Sequence, residues 1–424
     1  MVSTELLRHL VVQQKSQIEK GGSFVERSIL KQVLDAFSDN RVLILTGIRR
    51  CGKSTLLKQI MRTKTRYCYV NFEDERLLGF RAEEFESLNE VLMEVYGTPV
   101  TYFFDEIQNI DKFETFVRRL QDEGKKVVIT GSNASLLSKE FGTRLTGRYK
   151  LFEVYPFSFV EFLRTKKISV KKRAKDSLYS AEERVKLKTA FATYVESGGM
   201  PEYLKNQDNE YIKTLYDNII YRDIIARYSI RRQRLVRELV GILASAISLP
   251  FTYNSLKTSL GLKNAITVKE YITYLSGAYL FFELLRFDYS VKKQLNSPRK
   301  CYIIDTAFSL IGGFSLSPNK GRLLENIVFI ELRRRGNEVY YYSKNRECDF
   351  ITKDGRRISG AIQVCHELND ENMDRETEGL IEAMSALNVN EGLILTSDQE
   401  ERRTYGETTI IIKPVWKWLL EGST

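Results

Sequence analysis

Histidine is almost missing from this chain, with two in 424 residues, and its five cysteines (51, 68, 301, 348 and 365) are scattered. No metal-ligand spacing joins them, so a zinc site is not expected. Long hydrophobic runs are missing too. The longest, 239–251, is broken by Gly241 and Pro250 and is too short to span a bilayer. The opening MVSTELLRHLVVQQKSQ turns polar too early for a secretory leader. These absences predict a reduced, cytoplasmic protein with no membrane partner.

What is present is ordinary globular material. Hydrophobic residues make up 43% and charged residues 28%, which excludes a disordered or fibrous chain. The length allows roughly two to four domains with sizeable cores. The formal net charge of +10 biases the surface toward anionic partners, whether nucleotide or nucleic acid. A basic surface that is merely soluble gives the same charge. The basic clusters are local, at 166–175, 231–237 and 333–335.

RVLILTGIRRCGKSTLLKQI carries the most specific signal. An apolar β-type run at 42–45 leads into Gly47-x-x-x-x-Gly52-Lys53-Ser54, and a helical pattern follows. That order is the context a phosphate-binding loop requires. Gly47 and Gly52 let the backbone N–H groups of Ile48, Arg49, Arg50 and Cys51 turn inward around phosphates. The helix N-terminus at Thr55 adds positive potential. Lys53 supplies a mobile cation to the β- and γ-phosphates, and the Ser54 hydroxyl is a Mg2+ ligand.

PVTYFFDEIQNI supplies the complementary strand, four β-formers at 101–104 and then Asp105 and Glu106. Asp105 is expected in the Mg2+ shell, and Glu106 is expected to orient and polarise the attacking water. A third strand, KKVVIT, ends in GSNASLL, where Ser132 or Asn133 would sense the γ-phosphate or serve a turn and helix cap. Arg144 and Arg148 precede another strand. Arg148 is the preferred arginine for stabilising transition-state charge, from the same chain or from a neighbour in an oligomer. Five β-type runs, 41–46, 67–72, 100–104, 126–130 and 149–154, alternate with helical patterns and predict a parallel sheet covered on both faces.

The phrases GIRRCGKSTLL, YVNFEDE, FFDEIQNI, TGSNASLLS, TGRYKLFEVYPFSFVEFL and GGMPEYL together resemble a large bacterial and archaeal family of AAA-type ATPases. In that family a C-terminal domain of unknown function follows the ATPase module. YRDIIARYSI, LLENIVFIELRRRG and YYYSKNRECDF extend the resemblance over nearly the whole chain. It implies an AAA+ fold and ATP binding with hydrolysis. Cys51 departs from the small aliphatic residue usual there. Lys53 and the helix N-terminus would lower its thiol pKa, so alkylation there would block nucleotide binding. A small side chain that simply fits is the other reading.

Beyond residue 162 the lysine-rich stretch RTKKISVKKRAKDSLYSAEERVKLK reads as a linker, and helical spacing follows through Ile212, Leu215, Ile219 and Ile220. The segment from Tyr253 has the shape of a helix-turn-helix with a strand pair. Its short helix spans 255–260, Gly261 makes the turn, and Thr267 caps the second helix through Leu275. That second helix offers only Lys269 to a DNA backbone, so a protein partner is weighed equally. Cations for DNA lie at Arg231, Arg232, Arg234, Lys292 and Lys293.

The C-terminal part, one long helix and then strands EVYYYS, CDFITK and ISGAIQVC, matches the core of restriction-endonuclease-like folds. The resembling family is thought to carry this core. Asp349 fits the first acid, and Glu325 or Glu331 fits the helix acid. Gln363 replaces the second carboxylate and Cys365 replaces the lysine, while His366 points to the opposite face. Lys344 or Lys353 could restore the charge from another strand. A working nuclease is therefore not expected.

The chain thus reads as α/β, in four parts. Residues 1–164 form a P-loop AAA+ parallel-sheet domain and 165–235 a basic linker with helices. Residues 236–300 form a winged-helix-like module and 301–424 a degenerate restriction-endonuclease-like α/β domain. The expected activity is ATP hydrolysis that drives or switches a C-terminal region bound to DNA or to protein. The alternatives are an ATP-switched nucleic-acid-binding regulator with negligible turnover and an ATP-gated, metal-dependent nuclease.

Overall fold

The computed structural model describes residues 2–22, 24–132, 147–169, 179–313 and 319–421. The chain divides into two compact units. The first is 1–155 with 277–279, and the second holds 156–276 and 280–424.

The first unit is built on five parallel strands: β1 (Val42–Thr46), β2 (Tyr67–Asn71), β3 (Thr101–Asp105), β4 (Lys126–Gly131) and β5 (Tyr149–Glu153). Their spatial order is β2-β3-β4-β1-β5. β1 and β3 are buried along their whole length, as expected of strands covered on both faces and written as continuous apolar runs. The order sets β4 between β1 and β3, so their C-terminal ends open side by side at one edge. Helix Thr4–Glu19 starts where the Ser3 hydroxyl accepts from the Leu6 N–H at 3.2 Å, and it buries Leu7, Leu10 and Val11. Aromatic rings fill the layer beside it, with Phe85 stacked on Phe116 at 4.4 Å.

The second unit opens with helices Phe159–Thr165, Ala181–Ser197, Pro201–Asn206 and Asn209–Asn218, a π-helical turn Ile219–Ala226, and helix Gln233–Ser245. Helix Phe159–Thr165 lies in the second of these compact units. A three-stranded antiparallel sheet follows, with β6 (Pro250–Phe251), β7 (Phe281–Leu285) and β8 (Arg299–Ile303) in the order β6-β8-β7. Helices Tyr253–Ser259 and Ala265–Gly277 lie between β6 and β7 in the chain. Thr267 does not cap the second of these. It sits inside the helix, and the Asn264 carboxamide accepts the Ile266 N–H at 2.8 Å. The expected boundary at residue 300 cuts through β8, whose pairing with β7 continues to Ile303.

The largest sheet has six strands in the order β13-β14-β12-β11-β10-β9. They are β9 (Glu338–Ser343), β10 (Glu347–Asp354), β11 (Arg357–Val364), β12 (Glu391–Thr396), β13 (Glu401–Tyr405) and β14 (Thr408–Pro414). β9, β10 and β11 are antiparallel neighbours, whereas β11, β12 and β14 run parallel. Strand β13 and helix Met373–Leu387 were not read from the sequence. Helix Lys320–Arg334 is buried continuously from Leu323 to Leu332. Asn326 pins it to β8, donating to the Ile303 carbonyl and accepting its N–H, each at 2.8 Å.

Candidate functional site

The loop after β1 is shaped by two glycines. A Cβ on Gly47 would stand 2.1 Å from the Val154 carbonyl oxygen, and Gly52 has a φ of 101°. Gly47→Ala is therefore expected to push β5 away from the loop and abolish nucleotide binding. A fluorescent-nucleotide titration checks this. Arg50 also holds a positive φ of 65°, the kind of backbone strain that gathers at functional loops. Ile48 and Cys51 are buried, Arg50 is exposed and Thr55 is half-buried on the first helical turn. Arg49 pairs with Glu73 at 3.0 Å.

Lys53 and Ser54 open helix Lys53–Met61 and face the end of β3. The Lys53 ammonium donates to the Gly47 and Ile48 carbonyls at 3.1 and 3.2 Å and lies 3.6 Å from the Glu106 carboxylate. The Ser54 hydroxyl donates to Asp105 at 3.1 Å. The structure thus brings together four of the residues expected from two separate motifs. Burial is the largest single influence and works against the Lys53 charge, but Glu106, Cys51 and Asp105 together outweigh it and hold the ammonium above its ordinary range. Burial likewise is the largest influence on Glu106 and opposes its charge, and Lys53, Gln108 and Arg49 together override it and keep that carboxyl below the usual range. Asp105 goes the other way, raised by burial against a hydrogen bond from Thr130.

Thr130 is a residue that sequence reasoning passed over. At the end of β4 it donates to Asp105 while accepting the Glu106 N–H at 2.8 Å, so it sets both acids at once. The polar end of KKVVIT was the available signal. Tyr69 on β2 adds a hydrogen bond to Asp105 at 3.2 Å. Ser132 is 2% exposed, and its hydroxyl has no hydrogen-bond partner among the described residues. A buried orphan hydroxyl beside the loop suits a ligand oxygen. Asn133 and Arg144 lie outside the described residues.

Distance and burial narrow two positions that had alternative readings. Arg148 precedes β5 at the far end of the sheet, its carbonyl accepting the N–H of Val42 where β1 begins. Five residues of strand, roughly 15 Å, separate it from the loop, and its guanidinium pairs with Asp122 at 2.6 Å. It does not reach this chain's own loop. Cys51 is not an activated thiol either. It is fully buried and donates to the Val154 carbonyl at 3.1 Å, and burial raises its pKa despite Lys53 and Arg27 nearby. All five cysteines are buried, so the native protein is expected to take up no iodoacetamide under conditions that label the unfolded chain. Mass spectrometry checks this.

The nuclease-like hairpin also differs from expectation. Asp349 and Glu325 do come together, but the cation between them is Lys300, from β8. Its ammonium lies 2.9 Å from Asp349, 3.1 Å from Glu325 and 2.8 Å from Glu347. Lys353 pairs with Glu338 instead, and Glu331 pairs with Arg334 and Arg335. Gln363 is a bracket, accepting the Asp349 N–H at 3.1 Å and donating to Glu376 at 2.6 Å. Cys365 packs into the core under helix Met373–Leu387, and burial pushes its thiol up to about 12. Burial opposes the Lys300 charge, yet Asp349 and Glu325 hold it well above the ordinary lysine range.

The chain is similar to several known proteins. A family model described as an AAA domain matches residues 39–163, and a domain of unknown function (DUF8612) matches 188–311. An uncharacterized protein of Methanocaldococcus jannaschii is 37% identical, over 99% of this chain and 96% of its own length. Another, from Haemophilus influenzae, is 28% identical, over 83% of this chain and 88% of its own. Among solved structures, a Walker-type ATPase of Pyrococcus abyssi is similar over 68% of this chain and 96% of that one, at 16% identity and a TM-score of 0.44. No helix among the described residues is long and apolar enough to cross a membrane.

Proposed function

Because the chain belongs to the AAA-domain family of P-loop ATPases, we propose that it binds Mg·ATP at loop 47–54 and hydrolyses it with Glu106 as the base. The observation that carries this reading is the convergence of Lys53, Ser54, Asp105 and Glu106 within hydrogen-bonding reach at the ends of β1 and β3. When phosphates enter, Lys53 exchanges the Gly47 and Ile48 carbonyls for phosphate oxygens, which parts it from Glu106. The freed carboxylate then accepts a proton from the water that attacks the γ-phosphate, with ADP as the leaving group. Ser54 and Asp105 are the residues that would hold Mg2+, which when bound offsets the phosphate charge. Ser132 is the described side chain suited to sense the γ-phosphate. Arg148 is left to act on the nucleotide of a neighbouring copy.

The second unit is the part that ATP would drive or switch. Its order of helix, short strand, two helices and an antiparallel strand pair supports a winged-helix reading. The connection between β7 and β8 exposes Tyr289 and Val291 beside the exposed Lys292 and Lys293, a surface suited to an anionic partner such as DNA. This also favours the second reading, a nucleotide-switched regulator with little turnover. Phosphate release measured with and without DNA separates the two. A motor is expected to gain turnover on DNA, and a regulator to bind DNA with a steep salt dependence at unchanged turnover. Lack of binding at low salt would exclude DNA and favour a protein partner.

A further inference from the structure

Arg27 belongs to none of the nucleotide motifs, yet it is 3% exposed and its guanidinium joins two backbone segments. It donates to the Cys51 carbonyl, inside the phosphate loop, at 2.8 Å and to the Tyr155 carbonyl, beyond β5, at 2.6 Å. Its own place is fixed from the helix that follows the loop. The Arg27 N–H donates to the Gln59 side chain at 3.2 Å, and Gln59 donates to the Val25 carbonyl at 2.7 Å. Further ties bind the same two segments. The Cys51 thiol donates to the Val154 carbonyl, and the Val154 N–H donates to the Thr46 carbonyl at 2.6 Å.

Tyr155 ends this stretch of the first unit, and the second unit begins at Pro156. Within the second unit the next two residues are gripped as firmly. The Pro156 carbonyl accepts from Arg334 at 3.1 Å, and the Phe157 carbonyl accepts from the Tyr194 hydroxyl at 2.9 Å. The Phe157 N–H donates to the Gly199 carbonyl at 2.7 Å, and the Gly199 N–H donates to the buried Asp305 at 2.7 Å. Four successive buried carbonyls, 154 to 157, thus each accept from a side chain. A connecting segment normally satisfies such groups with water or regular secondary structure.

We propose that Arg27 is a positioning residue for the phosphate loop and that residues 154–157 form a strap carrying the loop's state into the second unit. The proposal rests on the ATP reading above. Phosphates that draw Lys53 off the Gly47 and Ile48 carbonyls let the loop turn at Cys51. Arg27 is a planar fork with two fixed donors, so displacement of the Cys51 carbonyl either moves the Tyr155 carbonyl or breaks a charge-assisted bond. On the far side, Arg334 and Tyr194 pass that displacement to helices Lys320–Arg334 and Ala181–Ser197. The bistable element is the strap itself, held with the loop in one arrangement or the other.

Hydrogen exchange of the full chain, read by mass spectrometry without nucleotide and at saturating Mg·ATPγS, tests the strap. Wild type is expected to change exchange both at the loop and across residues 187–204. Tyr194→Phe removes one donor far from the nucleotide residues. It should bind ATPγS as wild type does and keep the loop response, with the response at 187–204 falling about fivefold, the population change one lost hydrogen bond brings. Arg27→Lys keeps the charge but loses the fork, and its response at 187–204 should fall at saturation even where affinity is weakened. Equal responses at 187–204 in wild type and Tyr194→Phe, or none in a wild type that binds ATPγS, would overturn the strap. A wild type that binds no ATPγS, read by equilibrium dialysis, overturns the ATP reading instead. If Arg27→Lys fails to fold, Tyr194→Phe still decides.

Discussion

Lys300→Met is expected to lose about 3–5 kcal/mol of stability, the typical cost of removing one partner from a buried ion cluster. The lysine side chain is 2% exposed, and Asp349 and Glu325 are nearly as buried, at 7% and 11%. Without the ammonium these two acids face each other with no cation between them. Glu347, at 40% exposure, is screened by solvent and adds little. Burial, and then the neighbouring Asp349 carboxylate, already push Glu325 up to about 8 even with Lys300 present. Asp349 has a second attachment, accepting the Val364 N–H at 3.0 Å, so it cannot swing out to water without losing that bond. A loss of that size is a large part of the roughly 5–15 kcal/mol that holds a typical fold.

Urea unfolding followed by tryptophan fluorescence reads the change, since both tryptophans, Trp416 and Trp418, lie in the second unit. The triple variant Lys300→Met, Glu325→Gln, Asp349→Asn is expected to recover most of the loss, because it removes the unpaired charges together. A single variant as stable as wild type would mean that the cluster is solvated. The cluster also changes how the hairpin is understood. In the expected nuclease pattern the acids hold a metal, whereas here a lysine from a different strand stands among them.

Glu106→Gln is expected to retain Mg·ATP while its turnover falls by a factor of about 10²–10⁴, the usual contribution of a positioned base. The substitution keeps the shape of the side chain and removes its ability to take a proton. Binding should hold because the loop backbone and Lys53 carry the phosphates. Affinity should even rise, since Lys53 no longer has a carboxylate 3.6 Å away competing for it. The backbone of Glu106 has a φ of 51°, fixed from outside by Thr130, so the amide is held in the same place. Turnover equal to wild type would remove Glu106 from the chemistry.

The strands of the first unit were legible because four of the five are runs of β-formers that end in or directly before a glycine or an acid. The phosphate loop was legible because its chemistry is local, with all its residues within eight positions. What escaped was tertiary partnership. Lys300 meets Asp349 across 49 residues and Arg27 meets Tyr155 across 128, and no periodicity marks either pair. Cys51 shows a different limit. Its sequence neighbours are those of a reactive thiol, but reactivity depends on water, and burial overrides the nearby charges. Arg148 was placed near the nucleotide because it precedes a strand of the same sheet. A parallel strand has two ends, and only the C-terminal one opens at the loop.

Phosphate release from Mg·ATP by the purified chain, measured beside Lys53→Ala, tests the central claim most directly. Wild type is expected to bind ATP and release phosphate, and Lys53→Ala to do neither while remaining folded. A wild type that binds no ATP, or a Lys53→Ala variant that turns over at the wild-type rate, would contradict the account.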